Sequence, residues 1–357
     1  MHGERFLSID AFRGLTIAAM VLVNNPGSWS HVHPLLRHAD WHGWTPTDLV
    51  FPFFLFIVGM AMTFSFGRRL REFAAPGSLY PKILKRSFIL IALGLLLQLI
   101  PDFSPATLRF PGVLQRIGLC YLFGSLIYLR TGSRSRLAVS AAMLLFYAGL
   151  LLLVPVPGFG SGVLEPAGNL PGYIDALLMP GHLYSPGFDP EGLLSTIPAV
   201  VTVLLGTLLG DYLRSSRTMI RKSITIFSAG IPVTLSGLLL HLLIPINKPL
   251  WTPSYVVFTA GMALLVFGLC FLLIDVLRLN HWAKPFLILG SNAIAVFVGS
   301  SLLAKFLLVL GSSSVSPRLF SFLGGPNLAS LAWAVLNVLL WVGLMAPLYK
   351  HRLFIKI

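Results

Sequence analysis

Apolar runs alternate with short polar breaks along the whole chain, and a bilayer core needs roughly 20 apolar residues per helix. Ten segments approach that length, near 7–25, 46–67, 86–101, 112–129, 137–154, 191–212, 223–244, 254–277, 286–309 and 329–348. The pattern predicts an all-α, polytopic membrane bundle of about ten transmembrane helices forming one domain over residues 1–357. One stretch breaks the pattern: Asn24 to Pro52 gathers His31, His33, His38 and His42 among aromatic residues between two apolar runs. A polar cap held between two spans is the first place to look for chemistry.

Composition agrees with the pattern. Of the 357 residues 56% are hydrophobic and 11% charged, with a mean hydropathy of +0.84, whereas soluble domains carry about a quarter charged residues. The net charge of +14 does not indicate nucleic acid, which requires a basic face on a soluble fold. Instead the cations cluster between spans: Arg5; Arg68, Arg69, Arg71, Lys82, Lys85 and Arg86; Arg130, Arg134 and Arg136; Arg214, Arg217, Arg221 and Lys222; Arg278 and Lys284; Lys350, Arg352 and Lys356. The opposite loops keep only Arg37, Arg109, Lys248 and Arg318. The positive-inside bias then places both termini in the cytoplasm and the histidine-rich loop outside it. A multi-pass membrane protein is expected, its first apolar run retained as a helix because Asp10 and Arg13 interrupt the core a signal peptide would need.

Charged residues inside spans face the bundle interior or a wet cavity. Asp10 and Arg13, three apart, can neutralise each other on one helix face. Arg116, in PGVLQRIG beside Gln115, has no acid nearby in sequence. It needs either a carboxylate from another helix or an anionic ligand such as a phosphate. Thr45, Pro46, Thr47, Asp48 reads as a helix start with a capping box, and Asp189, Pro190, Glu191 opens the sixth span in the same way. A capping carboxylate can also orient a histidine.

The long outside segment from Pro155 to Pro190 carries Asp175 and His182 but no strong helical period. Its GFGSG run lacks the strand and helix of a dinucleotide fingerprint. Cys120 and Cys270 fall within apolar runs as small core residues. The four histidines could suggest zinc, but their spacing matches no standard ligand set, so no metal is expected. From spacing alone, His38 is either a solvated loop histidine or a catalytic one.

Several stretches resemble the heparan-alpha-glucosaminide N-acetyltransferase family: SIDAFRG with VLVNN, RHADWHGWTPTDLVFPFFLFIVG, RFPGVLQRIG, GYIDALL, FDPEGLLSTI, PINKPLWTPSYV and GSNAIAVFVG, in family order along nearly the whole chain. The resemblance implies transfer of acetyl from cytoplasmic acetyl-CoA to the amine of a glucosamine-like sugar beyond the membrane, with no metal. It gives His38, in Arg37-His38-Ala39-Asp40-Trp41, the role of base or transient acyl acceptor, with Asn24 and Asp48 beside it in the catalytic set. Arg116, Gln115 and Asn292 are expected to contact acetyl-CoA. Asp40, Trp41, Asp175, Asp189, Glu191, Asn247, Lys248 and Trp251 are expected around the amino-sugar acceptor, and a homodimer is implied by the resemblance only. The rival from another class is an amino-sugar permease, which ten spans with intramembrane charges would also suit; the absence of a visible internal repeat weighs against it.

The orientation has a direct test. Topology reporters fused at Ser30 or Gly168 are expected to report the outside, and those fused after Arg134 or Arg217 the cytoplasm; a cytoplasmic signal at Ser30 reverses the placement of the histidine loop.

Overall fold

All ten predicted segments carry helix in the computed structural model, which describes residues 6–73, 76–100, 103–309 and 319–355. Arg5, Arg318 and Lys356, used above for orientation, lie outside the described residues. The helices are α1 (Leu7–Asn24), α2 (Val50–Phe73), α3 (Tyr80–Leu99), α4 (Val113–Arg130), α5 (Ser133–Leu153), α6 (Leu170–Leu178), α7 (Thr196–Leu213), α8 (Met219–Leu240), α9 (Pro253–Phe271), α10 (Lys284–Ser291), α11 (Ala293–Val309) and α12 (Pro326–Lys350). Among the described residues, extended pairing is limited to two isolated bridges in the segment between α5 and α7, Val156 with Gly160 and Ser185 with Phe188.

Among the described residues, seven helices are long and apolar enough to cross a bilayer: Leu7–Asn24, Pro46–Gly67, Ser133–Leu153, Thr196–Leu213, Met219–Leu240, Pro253–Val276 and Pro326–Lys350. An eighth forms if His281–Ser291 and Ala293–Leu307, bent by 74°, count as one span. Two predicted spans fall short of that apolarity. Lys82, Lys85 and Arg86 occupy the first turns of α3, and α4 holds Arg116 and Arg130.

The bend is centred on Asn292. Asn292 leaves helical geometry between α10 and α11, and its side chain instead receives Ile355 N at 2.7 Å and donates to Leu353 O at 3.2 Å. Helix α6 was not predicted, although Asn-Leu-Pro is a start signal: the Asn169 carboxamide accepts from Gly172 N at 2.8 Å, with Pro171 in the first turn.

The chain forms two compact units: Met1–Ala39, Trp44–Phe54 and Val266–Ile357 in one, Asp40–Gly43 and Leu55–Leu265 in the other. Within the first, α1 and α10 meet backbone to backbone; a Cβ on Gly14 would sit 1.7 Å from the Phe286 carbonyl oxygen. The carboxylate of Asp275 caps α1 by accepting from Leu7 N and Ser8 N, both at 3.1 Å. Arg13 bonds Asp10 at 3.2 Å, as its spacing suggested. Within the second, α2 and α7 approach just as closely, because a Cβ on Gly59 would meet the Val203 carbonyl oxygen at 1.9 Å. Small residues at such crossings let helices pack where lipid supplies no hydrophobic drive.

Gly59→Ala is therefore expected to lower the melting temperature of the purified protein, since overpacking against backbone costs about 1–3 kcal/mol. Gly149→Ala, where an added Cβ meets nothing within 4 Å, should leave it unchanged or slightly higher. Equal melting temperatures for both variants would contradict the close α2–α7 crossing.

Candidate functional site

The turn before α2 is built around one buried carboxylate. Thr45 and Pro46 start a 3-10 turn over Pro46–Leu49, which places Asp48 at 1% exposure. Its Oδ2 accepts from Thr45 N and Ala39 N, each at 3.0 Å. Its Oδ1 lies 2.5 Å from His38 Nδ1. The Thr45 hydroxyl donates to Arg37 O at 2.8 Å and closes the same loop.

With Asp48 ionised, this geometry fixes the His38 tautomer. An ionised carboxylate only accepts, so Nδ1 carries the hydrogen, and neutral His38 then keeps its lone pair on Nε2. The Asp48 side chain is 2% exposed and that of His38 48% exposed. A fixed acid therefore orients a ring that water and small molecules reach, the arrangement that makes imidazole a base or nucleophile. Asp48 both caps the turn and contacts His38, the combination allowed for above.

The neighbouring histidines have other partners. His31 Nδ1 meets Ser30 Oγ at 3.0 Å, and His33 Nδ1 accepts from Leu35 N at 3.3 Å. His42 lies 3.2 Å from Asn247 Nδ2 and 3.5 Å from Glu165. Among the described residues no three His, Cys, Asp or Glu side chains could hold a metal. Asn24 ends α1 with an exposed side chain, while Asn25 is buried and donates to Val21 O at 2.8 Å.

In the second unit, two of the acids expected around the acceptor, Asp189 and Glu191, are held by Arg109, which the sequence marked only as an outside-loop cation. Arg109 grips Asp189 through two bonds, Nε to Oδ2 at 2.8 Å and Nη2 to Oδ1 at 2.6 Å, and also bonds Glu191. Asp189 further accepts from Tyr184 N at 2.8 Å and Glu191 N at 2.9 Å. Burial works against the Arg109 charge, yet the bonds and charges of the two acids outweigh it and hold its pKa above the ordinary guanidinium value. The signal lay in three charges, Arg109, Asp189 and Glu191, each beside a span.

Arg116 lies seven residues on, 1% exposed, and donates through Nη2 to Gly192 O at 3.0 Å and to Ser195 Oγ. Its guanidinium stands 5.1 Å from the Trp251 ring centroid. Among the described residues, Nε and Nη1 have no hydrogen-bond partner, nor do Gln115 Nε2 and Asp175 Oδ2. Trp251 holds a φ of +53°, unusual for so large a side chain, and is 1% exposed. Asp175, on α6, accepts from Leu193 N at 2.9 Å. Burial, reinforced by the Asp189 charge, pushes its carboxyl up to about 6 against the Leu193 bond and the Arg116 charge.

Asn247 is architectural: it accepts from Leu250 N at 2.7 Å and donates to Trp41 O at 2.9 Å. Lys248 beside it is half-buried, and the Asn292 carboxamide is engaged by the C-terminal tail. Asp40 and Trp41, by contrast, line a cavity of about 660 Å³ together with Phe159, Tyr173 and Phe188.

The chain matches the family model for heparan-alpha-glucosaminide N-acetyltransferase, catalytic, over residues 5–244. It is 30% identical over 419 residues to the heparan-alpha-glucosaminide N-acetyltransferase of Mus musculus, an alignment covering 99% of this chain and 61% of that protein. It is likewise 30% identical over 414 residues to the Homo sapiens protein of that name, covering 99% of this chain and 60% of the relative. The chain thus spans about three fifths of the length of these relatives.

Asp175 generates a pH prediction. Folded, it holds its proton to about pH 6, whereas an unfolded aspartate releases it near 3.9. Its contribution to stability therefore falls as pH rises through that window. Asp175→Asn should gain melting temperature relative to the unsubstituted protein at pH 7, and less so at pH 5. A gap that is constant or reversed with pH would show Asp175 ionised throughout.

Proposed function

Because the chain belongs to the heparan-alpha-glucosaminide N-acetyltransferase family, we propose that it is a transmembrane acetyltransferase. It moves acetyl from cytoplasmic acetyl-CoA to the amine of an amino sugar at the extracytoplasmic face of a bacterial cell membrane, with both termini inside. The observation that carries this reading is the buried Asp48 carboxylate on His38 Nδ1. It leaves Nε2 as the atom that takes a proton.

In the direct route, His38 Nε2 removes the proton of the attacking amine as nitrogen bonds to the thioester carbonyl carbon. The C–S bond breaks, the thiolate departs, and His38 returns the proton to sulfur. In the two-step route, Nε2 attacks the thioester carbonyl carbon and the C–S bond breaks to release the CoA thiolate; the amine then attacks the acetyl carbon, the bond to Nε2 breaks, and the freed imidazole takes the amine's proton and gives it to sulfur. Asp48 stabilises the imidazolium that either path creates. Asn24, exposed at the end of α1, supplies an amide donor for the developing oxyanion. Arg116 and Gln115 are the donor-side contacts, since their spare buried N–H groups would be satisfied by carbonyl or phosphate oxygens of acetyl-CoA. Asp40 and Trp41 stand on the acceptor side, directly after His38 and Ala39 in the chain. The basic loops would draw the nucleotide phosphates from the cytoplasm.

One observation favours the permease instead: the helix broken at Asn292 by 74° is a feature shared with transporters. Release of free CoA by purified protein given acetyl-CoA and glucosamine separates the two, because transport alone liberates no thiol.

With that assay, His38→Ala is expected to lose about a hundredfold or more in rate, the scale of a positioned proton-transfer group. Asp48→Asn should lose on that order too, through the wrong tautomer. His31→Ala and His33→Ala should stay near full activity. An acetyl group found on His38 after incubation with acetyl-CoA alone selects the two-step route. Full activity in His38→Ala would remove the dyad from the reaction.

A further inference from the structure

The cavity beside Trp41 is a built feature of the second unit. At about 660 Å³ it falls within the roughly 300–1,000 Å³ of small-molecule sites. Four aromatic rings contribute to its walls: Trp41, Phe159, Tyr173 and Phe188. Trp41 is fixed at both ends. Its Nε1 donates to Leu164 O at 2.8 Å, its carbonyl accepts from Asn247, and its ring meets Phe188 edge-on at 5.2 Å. The rim is held by Asn169, whose amide donates to Glu165 O at 2.8 Å and Pro166 O at 3.0 Å while its oxygen caps α6. Phe159 lies against Gly168, where an added Cβ would meet the ring at 2.4 Å.

The electrostatics of this wall point one way. Asp40 is exposed and lines the cavity, and among the described residues no Lys, Arg or His joins it there. A second acid, Glu165, stands next in sequence to the lining residue Pro166, with a side chain 68% exposed and 3.5 Å from His42 Nε2, which is itself outside the lining. Aromatic faces carry negative potential that attracts cations and the polarised C–H groups of a sugar ring. A carboxylate adds attraction for an ammonium group and repulsion toward a carboxylate or sulfate.

We propose that this cavity is the acceptor site and that Asp40, in a wall without cations, selects a neutral or ammonium-bearing saccharide over an anionic one. Tyr173 is then a specificity residue that gives a sugar ring a stacking face, and Asp40 receives the amine. The inference rests on the acetyltransferase reading for the identity of the acceptor. It departs from the heparan in the relatives' name, since heparan is a polyanion. Rejection comes from repulsion, so it needs no contact unique to the preferred sugar.

The test compares two acceptors with purified full-length protein and acetyl-CoA: a β-1,4-linked glucosamine disaccharide, and glucosamine linked to a hexuronate. At low salt kcat/KM is expected to favour the first by about tenfold, with the gap narrowing at 0.5 M salt as screening shortens the field's reach. Asp40→Asn should shrink the preference, and Tyr173→Ala should raise KM for both sugars several-fold with kcat little changed. Equal kcat/KM for both acceptors, together with no KM change in Tyr173→Ala, overturns the site while acetyl transfer stands. A direct measurement separates the other failure. In saturation-transfer NMR, an unreactive N-acetylglucosamine oligosaccharide should contact the protein, and Tyr173→Ala should weaken that contact. If this holds while no CoA is ever released, the saccharide site stands and the acetyltransferase reading falls. If the oligosaccharide shows no contact with the unsubstituted protein, the site falls.

Discussion

A charge taken out of water must be met by groups the protein itself holds in place, and in a chain with 56% hydrophobic residues that requirement shapes every polar position. Asp275 is met by the first two amides of α1. Arg136 is met by Asp211 at 2.8 Å, Thr207 at 3.0 Å and the Thr131 carbonyl at 3.0 Å. Arg109 is met by Asp189 and Glu191. Each such charge ties segments far apart in sequence, and in the Arg109–Asp189 pair, where the acid is fully buried, removing the arginine leaves an uncompensated buried charge, typically a loss of about 3–5 kcal/mol.

The same requirement sorts architecture from chemistry. Asp189 has its oxygens filled by a guanidinium and two backbone amides, so it shapes the loop ahead of α7 and has little capacity for a ligand. Asp48 is equally saturated, but one of its partners is an imidazole that is itself half-exposed. The carboxylate therefore acts through the histidine, fixing which nitrogen is basic. Asp40 is the third kind, open to a cavity. Arg116 differs again, since its Nη2 is bonded while Nε and Nη1 are buried without partners. Such donors carry a desolvation cost until an acceptor reaches them, which is why this arginine fits donor binding better than Asn292, whose polar atoms are already matched.

Much of the fold was legible in the chain, because helix in a bilayer is the one way to satisfy backbone groups locally. All ten apolar segments became helix for that reason, and the Thr45 to Asp48 cap could be read because capping is a contact across three residues. The catalytic role expected of His38 came from resemblance; its spacing alone left it either a solvated loop histidine or a catalytic one. What the chain could not reveal were contacts between distant segments. The grip of Arg109 on Asp189 spans 80 residues, and the bond of Asn247 to Trp41 spans 206. The break at Asn292 depends on a tail 61 residues away, so a straight span was the natural expectation. Local periodicity and capping determined which segments are helices. The proton on His38 Nδ1, the saturation of Asp189 and the aromatic cavity were decided only when folding removed water and brought separate segments within hydrogen-bond reach.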